Sequence, residues 1–228
     1  MVEYGIKGSF EGLIKYLEDY KISEVLKKQS LIEGLKILHK RLYALLCWKV
    51  EFNRQSKNTE LHKWYDECVS DFIQIIPLLV QGFYKICNTS HRSAIENLIR
   101  CVVISGGHNP SDFQTVYQLF EKAKEVAKAS GNNEFKSRID KLYQIYVELC
   151  NYVHTSGEKY STFAQALNEY PNFIQEKFNL TVEYLIQSLK IINVIMIIIE
   201  NQTFRAMYHQ NKEAILDNMT AEEKRLFN

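Results

Sequence analysis

Apolar side chains recur at steps of three and four residues along most of the chain, which is the spacing of an amphipathic α-helix. Leucine follows this pattern between Leu31 and Leu46, and the segment from Phe135 to Val153 alternates steps of four and three. No segment alternates apolar and polar residues in the way a half-buried β-strand does. We therefore predict an all-α fold, a single-domain helical bundle of about six to eight helices.

Capping signals and polar breaks divide this pattern into separate helices. Ser30 with Glu33 has the spacing of a capping box, as does Thr220 with Glu223. Further start and stop signals are Ser9, Thr89 or Ser90, Asn109-Pro110, Gly106-Gly107 and Gly131. The predicted helices cover residues 10–19, 30–52, 60–87 with a kink at Pro77, 90–105, 110–130, 134–154, 173–208 and 221–227. They form one domain over 1–228, with N-terminal helices in 9–52, a bundle core in 60–208 and a short C-terminal helix in 220–227.

The predicted helix over 173–208 contains the most apolar stretch of the chain. This stretch, Ile191 to Ile199, is nine residues long and lies between Lys190 and Glu200. A membrane-spanning helix needs about 20 predominantly apolar residues, so we expect a long apolar C-terminal helix that is buried, and no membrane partner. A helix that is apolar almost all round lies at the centre of a bundle or is shared with a second chain. We therefore also expect a homodimer through the 173–208 helix.

Charge and cysteine content narrow the classes of function. The 28 Lys and Arg residues balance 27 Asp and Glu residues, so any site for a polyanion has to be a local patch. The five cysteines are widely spaced and form no Cys-x-x-Cys pair, which argues against a disulfide framework or structural zinc and predicts a cytoplasmic location. No phosphate-binding glycine loop, His-Glu-x-x-His motif or nucleophile elbow is present, so we assign no metal and no cofactor.

Arg92 is the first candidate for a functional role. On a helical projection it points toward the apolar side of its helix, with Glu96 one turn away. A guanidinium in that position is costly unless it is paired. One interpretation is a structural Arg92–Glu96 pair. The other is an anion site that uses Arg92 and Arg100, with Glu96 orienting them.

His154 is the second candidate, at the carboxyl end of the best-defined helix. Projection places it at the margin of the apolar stripe, on the same flank as Tyr143 and with Asn151 one turn back. A polar loop around Gly157 follows directly and supplies hydroxyls and exposed backbone. The imidazole either complements the negative end of the helix dipole or acts as a general acid/base or ligand-binding group.

Together these two helices resemble a known superfamily. The segment Arg92-Ser93-x-x-Glu96 is followed some fifty residues later by Leu149-x-x-Tyr-Val-His154-Thr-Ser. This combination is similar to all-α bacterial proteins related to the higher eukaryotes and prokaryotes nucleotide-binding (HEPN) superfamily, which include abortive-infection proteins of phage defence. The likeness covers roughly residues 92–156, under a third of the chain.

The resemblance implies a helical bundle, often dimeric, with relatives that are metal-independent ribonucleases of antiviral or toxin-antitoxin systems. Those ribonucleases carry an Arg and a His spaced by four to six residues on one helix. Here the positions that would hold the Arg before His154 are Val147, Glu148 and Leu149, while Arg205 and His209 have only three residues between them. Arg92 would have to approach His154 across a helix interface to rebuild the pair.

Two functions remain open from the sequence. The first is an RNA- or nucleotide-directed effector of a bacterial defence or toxin-type system, in its strongest form a metal-independent endoribonuclease. In it, His154 and Arg92 are the catalytic residues; the residues expected to bind the ligand are Glu96, Arg100, Asn151 and Tyr143. Its partners would be RNA, a nucleotide or a protein of the same operon. The alternative is a non-enzymatic interaction or scaffold module in which Arg92, Glu96 and His154 form a structural polar network.

Overall fold

The computed structural model describes residues 14–15, 18–55, 59–154, 157 and 169–225. Ten helices have both ends in this part of the chain: α1 (Ile22–Val25), α2 (Gln29–Gln55), α3 (Thr59–Val80), α4 (Tyr84–Ser105), α5 (Val116–Ala129), α6 (Asn133–His154), α7 (Gln175–Ile199), α8 (Asn201–Arg205), α9 (His209–Leu216) and α10 (Ala221–Arg225). A 3₁₀ turn, Pro110–Asp112, precedes α5. No strand occurs among the described residues, and the predicted all-α fold is confirmed.

Helix α4 is the central element of the bundle. It packs against α3, α5, α6 and α7. Its apolar side chains between Ala94 and Val103 have no exposed area. Burying one such Ile or Leu side chain contributes about 1.5–3 kcal/mol, so these positions supply much of the stability of the bundle centre. The helix ends at Gly106 and Gly107 as predicted, and Gly107 adopts a φ of 80° that glycine accepts without strain.

The boundary between α3 and α4 differs from the sequence-based expectation. A single helix over 60–87 was wrong, because the chain turns at Gly82, which has a φ of 81°. A Cβ added there would lie 1.7 Å from the carbonyl oxygen of Asn172, so only glycine fits this close approach. A start of α4 at Thr89 or Ser90 was also wrong: the helix already begins at Tyr84, and the Thr89 hydroxyl donates to the Lys85 carbonyl within it.

Two other helix starts are shifted. The Ser30 capping box does not form, because α2 begins at Gln29 and the Ser30 hydroxyl donates to Oε1 of Gln175, 2.9 Å away. Asn109 caps only the 3₁₀ turn, where its side chain accepts from the Ser111 N–H at 3.0 Å. Helix α5 starts later, at a capping box formed by Thr115 and Gln118. A capping residue is recognised in the sequence by its type and spacing alone. The same residue types also make tertiary contacts, as Ser30 does, or cap a short turn, as Asn109 does.

The predicted helix over 173–208 is interrupted. Glu200 has φ −117° and ψ 38°, which ends α7 and separates it from α8 and α9. Arg205 and His209 therefore belong to different helices. By length and composition α7 is long and apolar enough to cross a membrane, but most of it is buried inside the protein. The side chains from Ile191 to Ile197 are buried within one chain, so their apolar character needs no second chain, and the homodimer stays a prediction.

Other local signals were correct. Helix α6 covers nearly the predicted segment, and the capping box of α10 forms with both hydrogen bonds between Thr220 and Glu223, at 2.8 and 3.2 Å. Pro77 lies inside α3 as expected. The predicted cap at Ser9 lies outside the described residues, and so does most of the loop that follows His154.

A buried carboxylate fixes the C-terminal helices on α2. Glu51 has no exposed area, and its carboxylate accepts from Arg54 at 2.7 Å, from Asn211 Nδ2 at 2.7 Å and from the Tyr208 N–H at 3.1 Å. Burial alone would raise the pKa of Glu51, but these donors together lower it below its ordinary value. The ionised carboxylate is thus a structural anchor between α2 and the segment that begins α9.

Candidate functional site

The candidate site is the partly hydrated side of α4. We call it the α4 polar stripe and define it as Arg92, Ser93, Glu96, Asn97 and Arg100. Spacings of three and four residues place these side chains on neighbouring ridges of one helix face. From residue 91 to residue 100, all side chains of α4 outside the stripe are buried. In this part of the helix, only side chains of the stripe are in contact with solvent.

Arg92 and Glu96 form the predicted ion pair. Arg92 Nε donates to Glu96 Oε1 at 2.9 Å, and the two side chains are 25% and 15% exposed. Tyr146 of α6 donates its hydroxyl to the same Oε1 at 3.0 Å, and the Arg92 guanidinium lies 5.6 Å from the centre of the Tyr146 ring. The structural Arg–Glu pair expected from the sequence is therefore present, with a tyrosine from a second helix added to it.

The electrostatics of this cluster favour a charged arginine and a neutral tyrosine. Burial opposes the charge on Arg92, yet Tyr146 and Glu96 raise the pKa of the guanidinium above its ordinary value. Burial raises the pKa of Tyr146, and the neighbouring Glu96 carboxylate raises it further. The Tyr146 hydroxyl consequently stays protonated and acts as a hydrogen-bond donor that joins α6 to α4.

The other half of the stripe connects α4 to α3. Asn97 Nδ2 donates to Asp71 at 3.0 Å, and Arg100 donates to the Asn97 side-chain oxygen at 3.0 Å. The Arg100 guanidinium lies 4.7 Å from the ring centre of Trp64, whose indole N–H donates to Glu60 at 3.1 Å. Of the binding residues predicted from the sequence, Arg100 thus belongs to the same face as Glu96.

Asp71 is a titratable member of the site that the sequence did not reveal. Burial raises its pKa, although hydrogen bonds from Ser93 and Asn97 oppose this shift. The carboxylates of Glu67 and Glu96 raise the pKa further. Tyr146 was also missed, because its spacing made it an ordinary member of the apolar stripe of α6. No local signal marks either residue, since both acquire their role from a neighbouring helix.

His154 is not joined to this cluster. It is the last residue of α6 and is exposed. It follows Tyr146 by eight residues, which is about 12 Å along a helix axis. Among the described residues, no hydrogen bond, ion pair or ring contact connects His154 with Arg92. A shared catalytic role for these two side chains stays a prediction, and it requires a ligand that spans the distance between them.

The contacts that the structure shows for Asn151 and Tyr143 are made to residues outside the α4 polar stripe. Asn151 donates to Glu148 on its own helix at a long 3.5 Å. The Tyr143 ring packs edge-on against Phe120 with ring centres 5.0 Å apart, and the Lys124 ammonium lies 4.4 Å from the Tyr143 ring centre. Tyr143 therefore contributes to the contact between α6 and α5.

A second pair of polar residues has the identities of a base and a nucleophile. His91 Nε2 on α4 lies 2.8 Å from the Ser188 hydroxyl on α7, and neither residue has exposed area. Burial lowers the pKa of His91 to about 3, so the imidazole is neutral. Because no substrate reaches these buried atoms, the pair serves as an internal hydrogen bond between two core helices.

The remaining candidates for chemistry in the described residues are metal-ligating side chains and cysteines. In the described ranges no group of three or more His, Cys, Asp or Glu side chains is arranged to hold a metal ion. The five cysteines are free, and all except Cys150 are buried. Comparison of the chain with protein-family models, with curated proteins and with solved structures found no match.

Proposed function

We propose that the chain is a non-enzymatic helical interaction module in which the α4 polar stripe fixes the relative positions of α3, α4 and α6. The observation that carries this proposal is the shared acceptor: Glu96 Oε1 receives both Arg92 and Tyr146. The charge of Arg92 is thereby paired inside the protein. Networks of this kind, when their members are hydrogen-bonded, specify how helices pack.

The position of His154 supports the same proposal. General acid/base catalysis requires the base within hydrogen-bond reach of the proton that it moves, at about 2.6–3.2 Å or through one water. An exposed imidazole about 12 Å along α6 from Tyr146 is poorly placed to act with Arg92 on one reacting group. A solvated end position suits an imidazole that complements the helix dipole.

A second candidate is the RNA- or nucleotide-directed effector of a bacterial defence or toxin-type system, active in the cytoplasm. It is favoured by two observations: Arg92 keeps part of its surface in water, and Arg100, on the same helix, stacks on Trp64 of α3. Cations beside aromatic rings are the usual contacts of single-stranded nucleic acid. The resemblance to HEPN-type proteins adds to this candidate, with His154 as acid/base if the effector is a metal-independent ribonuclease.

One set of variants separates the two candidates. We would measure thermal stability, binding to labelled RNA and cleavage of total RNA in EDTA for Arg92→Lys, Glu96→Gln and His154→Ala. The exposed residues Arg205 and His209 supply matched controls as Arg205→Lys and His209→Ala.

The interaction module predicts lower melting temperatures for Arg92→Lys and Glu96→Gln, no change for His154→Ala, and intact RNA throughout. An Arg→Lys change removes the planar fork while keeping the charge, which is why it reports on the network. RNA cleavage that disappears in His154→Ala, at an unchanged melting temperature, would reject the module and establish the effector.

A further inference from the structure

The outward surface of α2 carries a row of exposed apolar side chains. Ile32, Ile37, Tyr43, Leu46 and Val50 are 40, 49, 52, 37 and 55% exposed. We call these five residues the α2 outer face. Four of them, Ile32, Tyr43, Leu46 and Val50, lie on one line along the helix surface. Lys36 and His39 lie on the same line between Ile32 and Tyr43, so that successive positions are four or three residues apart. This is the spacing with which one helix contacts another.

The concentration of these residues on one helix is unusual for the molecule. Five of the fifteen large exposed hydrophobic side chains in the described part of the chain belong to α2. Single exposed hydrophobic residues are common on soluble proteins, whereas Tyr43, Leu46 and Val50 follow one another at steps of three and four and form a continuous apolar surface that suits interaction. The opposite face of α2 is filled by core residues such as Leu38 and Leu45, so the outer face is not needed for the fold.

A groove between α2 and α9 continues this face. Its volume is about 560 Å³, and its apolar walls include Ile37, Tyr43 and Ala214. Lys36, Lys40 and His39 line the α2 side, and Asp217 lines the other side. The groove is therefore apolar in its interior and mostly basic along the α2 rim.

The basic rim lacks internal compensation. Lys36 and Lys40 are one helical turn apart, and like charges at this spacing repel each other. In the described ranges neither ammonium has a carboxylate within 4.0 Å, whereas Lys49 on the same helix pairs with Asp66 at 3.2 Å. An acidic partner would supply the missing counter-charges.

We propose that the α2 outer face and the adjoining groove bind an acidic amphipathic helix of another protein. Its apolar residues would pack on Tyr43, Leu46 and Val50, and its carboxylates would meet Lys36 and Lys40. The row from residue 32 to residue 50 is about 27 Å long and about 10 Å wide, or roughly 270 Å². A stable dimer buries about 800 Å² per partner, so this area suits a single docked helix better than a second copy of the chain. The inference rests on the interaction-module function and names its partner chemistry.

The test uses a designed probe with the stated chemistry. A fluorescent 21-residue peptide with Leu at heptad positions a and d and Glu on both flanks is titrated with the full chain by anisotropy. A second peptide carries Lys in place of every Glu. We expect at least tenfold tighter binding of the Glu peptide, weakening as salt is raised.

Variants then locate the contact. Tyr43→Asp should abolish binding, and the pair Lys36→Glu with Lys40→Glu should reverse the preference toward the Lys peptide. The matched control combines Lys141→Glu and Val147→Asp, an exposed basic and an exposed apolar residue of α6, and should bind like the parent. Equal melting temperatures establish that every variant compared is folded, and the milder Tyr43→Ser replaces Tyr43→Asp if that variant unfolds.

Three results would overturn the docking proposal: no binding of either peptide, equal binding of both, or binding that Tyr43→Asp and Tyr43→Ser leave intact. A concentration-dependent dimer that Tyr43→Ser dissociates would assign the face to a second copy of the chain and would also overturn it. None of these results depends on RNA cleavage by His154, so failure here is distinguishable from failure of the interaction-module function itself.

Discussion

Two glutamates of this bundle are each paired with an arginine one turn away, yet they play different parts. Glu51 has no exposed area and receives Arg54, Asn211 and the Tyr208 N–H. Glu96 is 15% exposed and receives Arg92 and Tyr146 on one oxygen. The number of donors and the access of water distinguish a closed anchor from a cluster that still touches solvent.

The difference shows that an Arg–Glu pair in a sequence does not by itself reveal a function. At Glu51 the carboxylate itself is closed off from water, and the donors Asn211 and Tyr208 hold α2 to the C-terminal segment. At Glu96 the network joins α4 to α6, while Arg92 keeps a quarter of its surface in solvent. Loss of one partner should therefore cost far more stability at Glu51 than at Glu96.

The largest effect is expected from Glu51→Gln. This change keeps the size of the side chain but removes the charge that Arg54, Asn211 and Tyr208 donate to, so we expect a loss of about 3 kcal/mol in the free energy of unfolding. Denaturant unfolding followed by circular dichroism measures it. The exposed Glu33→Gln on the same helix is the control and should change stability by less than about 0.5 kcal/mol. If Glu51→Gln also lost less than about 0.5 kcal/mol, the anchor would be dispensable for stability.

Acid should act through the same carboxylate. Because the folded-state pKa of Glu51 lies below its ordinary value of 4.5, its contribution to stability is fully present above about pH 4.5 and is lost as the pH falls through the lower folded value. In the parent chain, the urea concentration at the unfolding midpoint should therefore decrease as the pH is lowered below 4.5. In Glu51→Gln the same decrease with pH should be less steep. Parallel curves for the two chains between pH 3 and 6 would argue against this assignment.

A smaller effect is expected at the α4 polar stripe. Glu96→Gln and Tyr146→Phe should each cost about 1 kcal/mol, since each removes a partly exposed hydrogen bond. Their double-mutant cycle should give a coupling free energy of about 0.5–1 kcal/mol, because both changes break the same contact. Pairing Tyr146→Phe with Glu33→Gln provides the uncoupled reference. Full additivity of Glu96→Gln and Tyr146→Phe would mean that the contact contributes nothing to stability.

The smallest change is expected at Asp71. Its folded-state pKa is raised above the ordinary value of 3.8, so the group stabilises the fold only at lower pH and opposes folding once it ionises. Asp71→Asn should therefore leave stability unchanged or slightly increased at pH 7, with the advantage disappearing as the pH falls toward 3.8. Thermal unfolding at pH 4 and pH 7 measures the difference. A variant clearly less stable than the parent at pH 7 would contradict the sign of this prediction.

Local sequence predicted much of the helical architecture but less of the site. The extent of α6 and the capping box at Thr220 depend on residues within a few positions of each other, so periodicity and capping rules were sufficient. The Arg92–Glu96 pair was predictable for the same reason. Asp71 and Tyr146 were not, because they approach Glu96 and Asn97 from separate helices.

By itself the sequence determined an all-α chain with an arginine and a glutamate on one face of a helix, because both properties follow from the 3.6-residue period. Only the tertiary structure decided that α3 ends at Gly82, where the Asn172 backbone leaves no room for a Cβ, and that α7 is interrupted at Glu200. It also brought Tyr146, eight residues before His154 on α6, into contact with Glu96. These features depend on contacts between segments distant along the chain, and local preference does not encode such contacts.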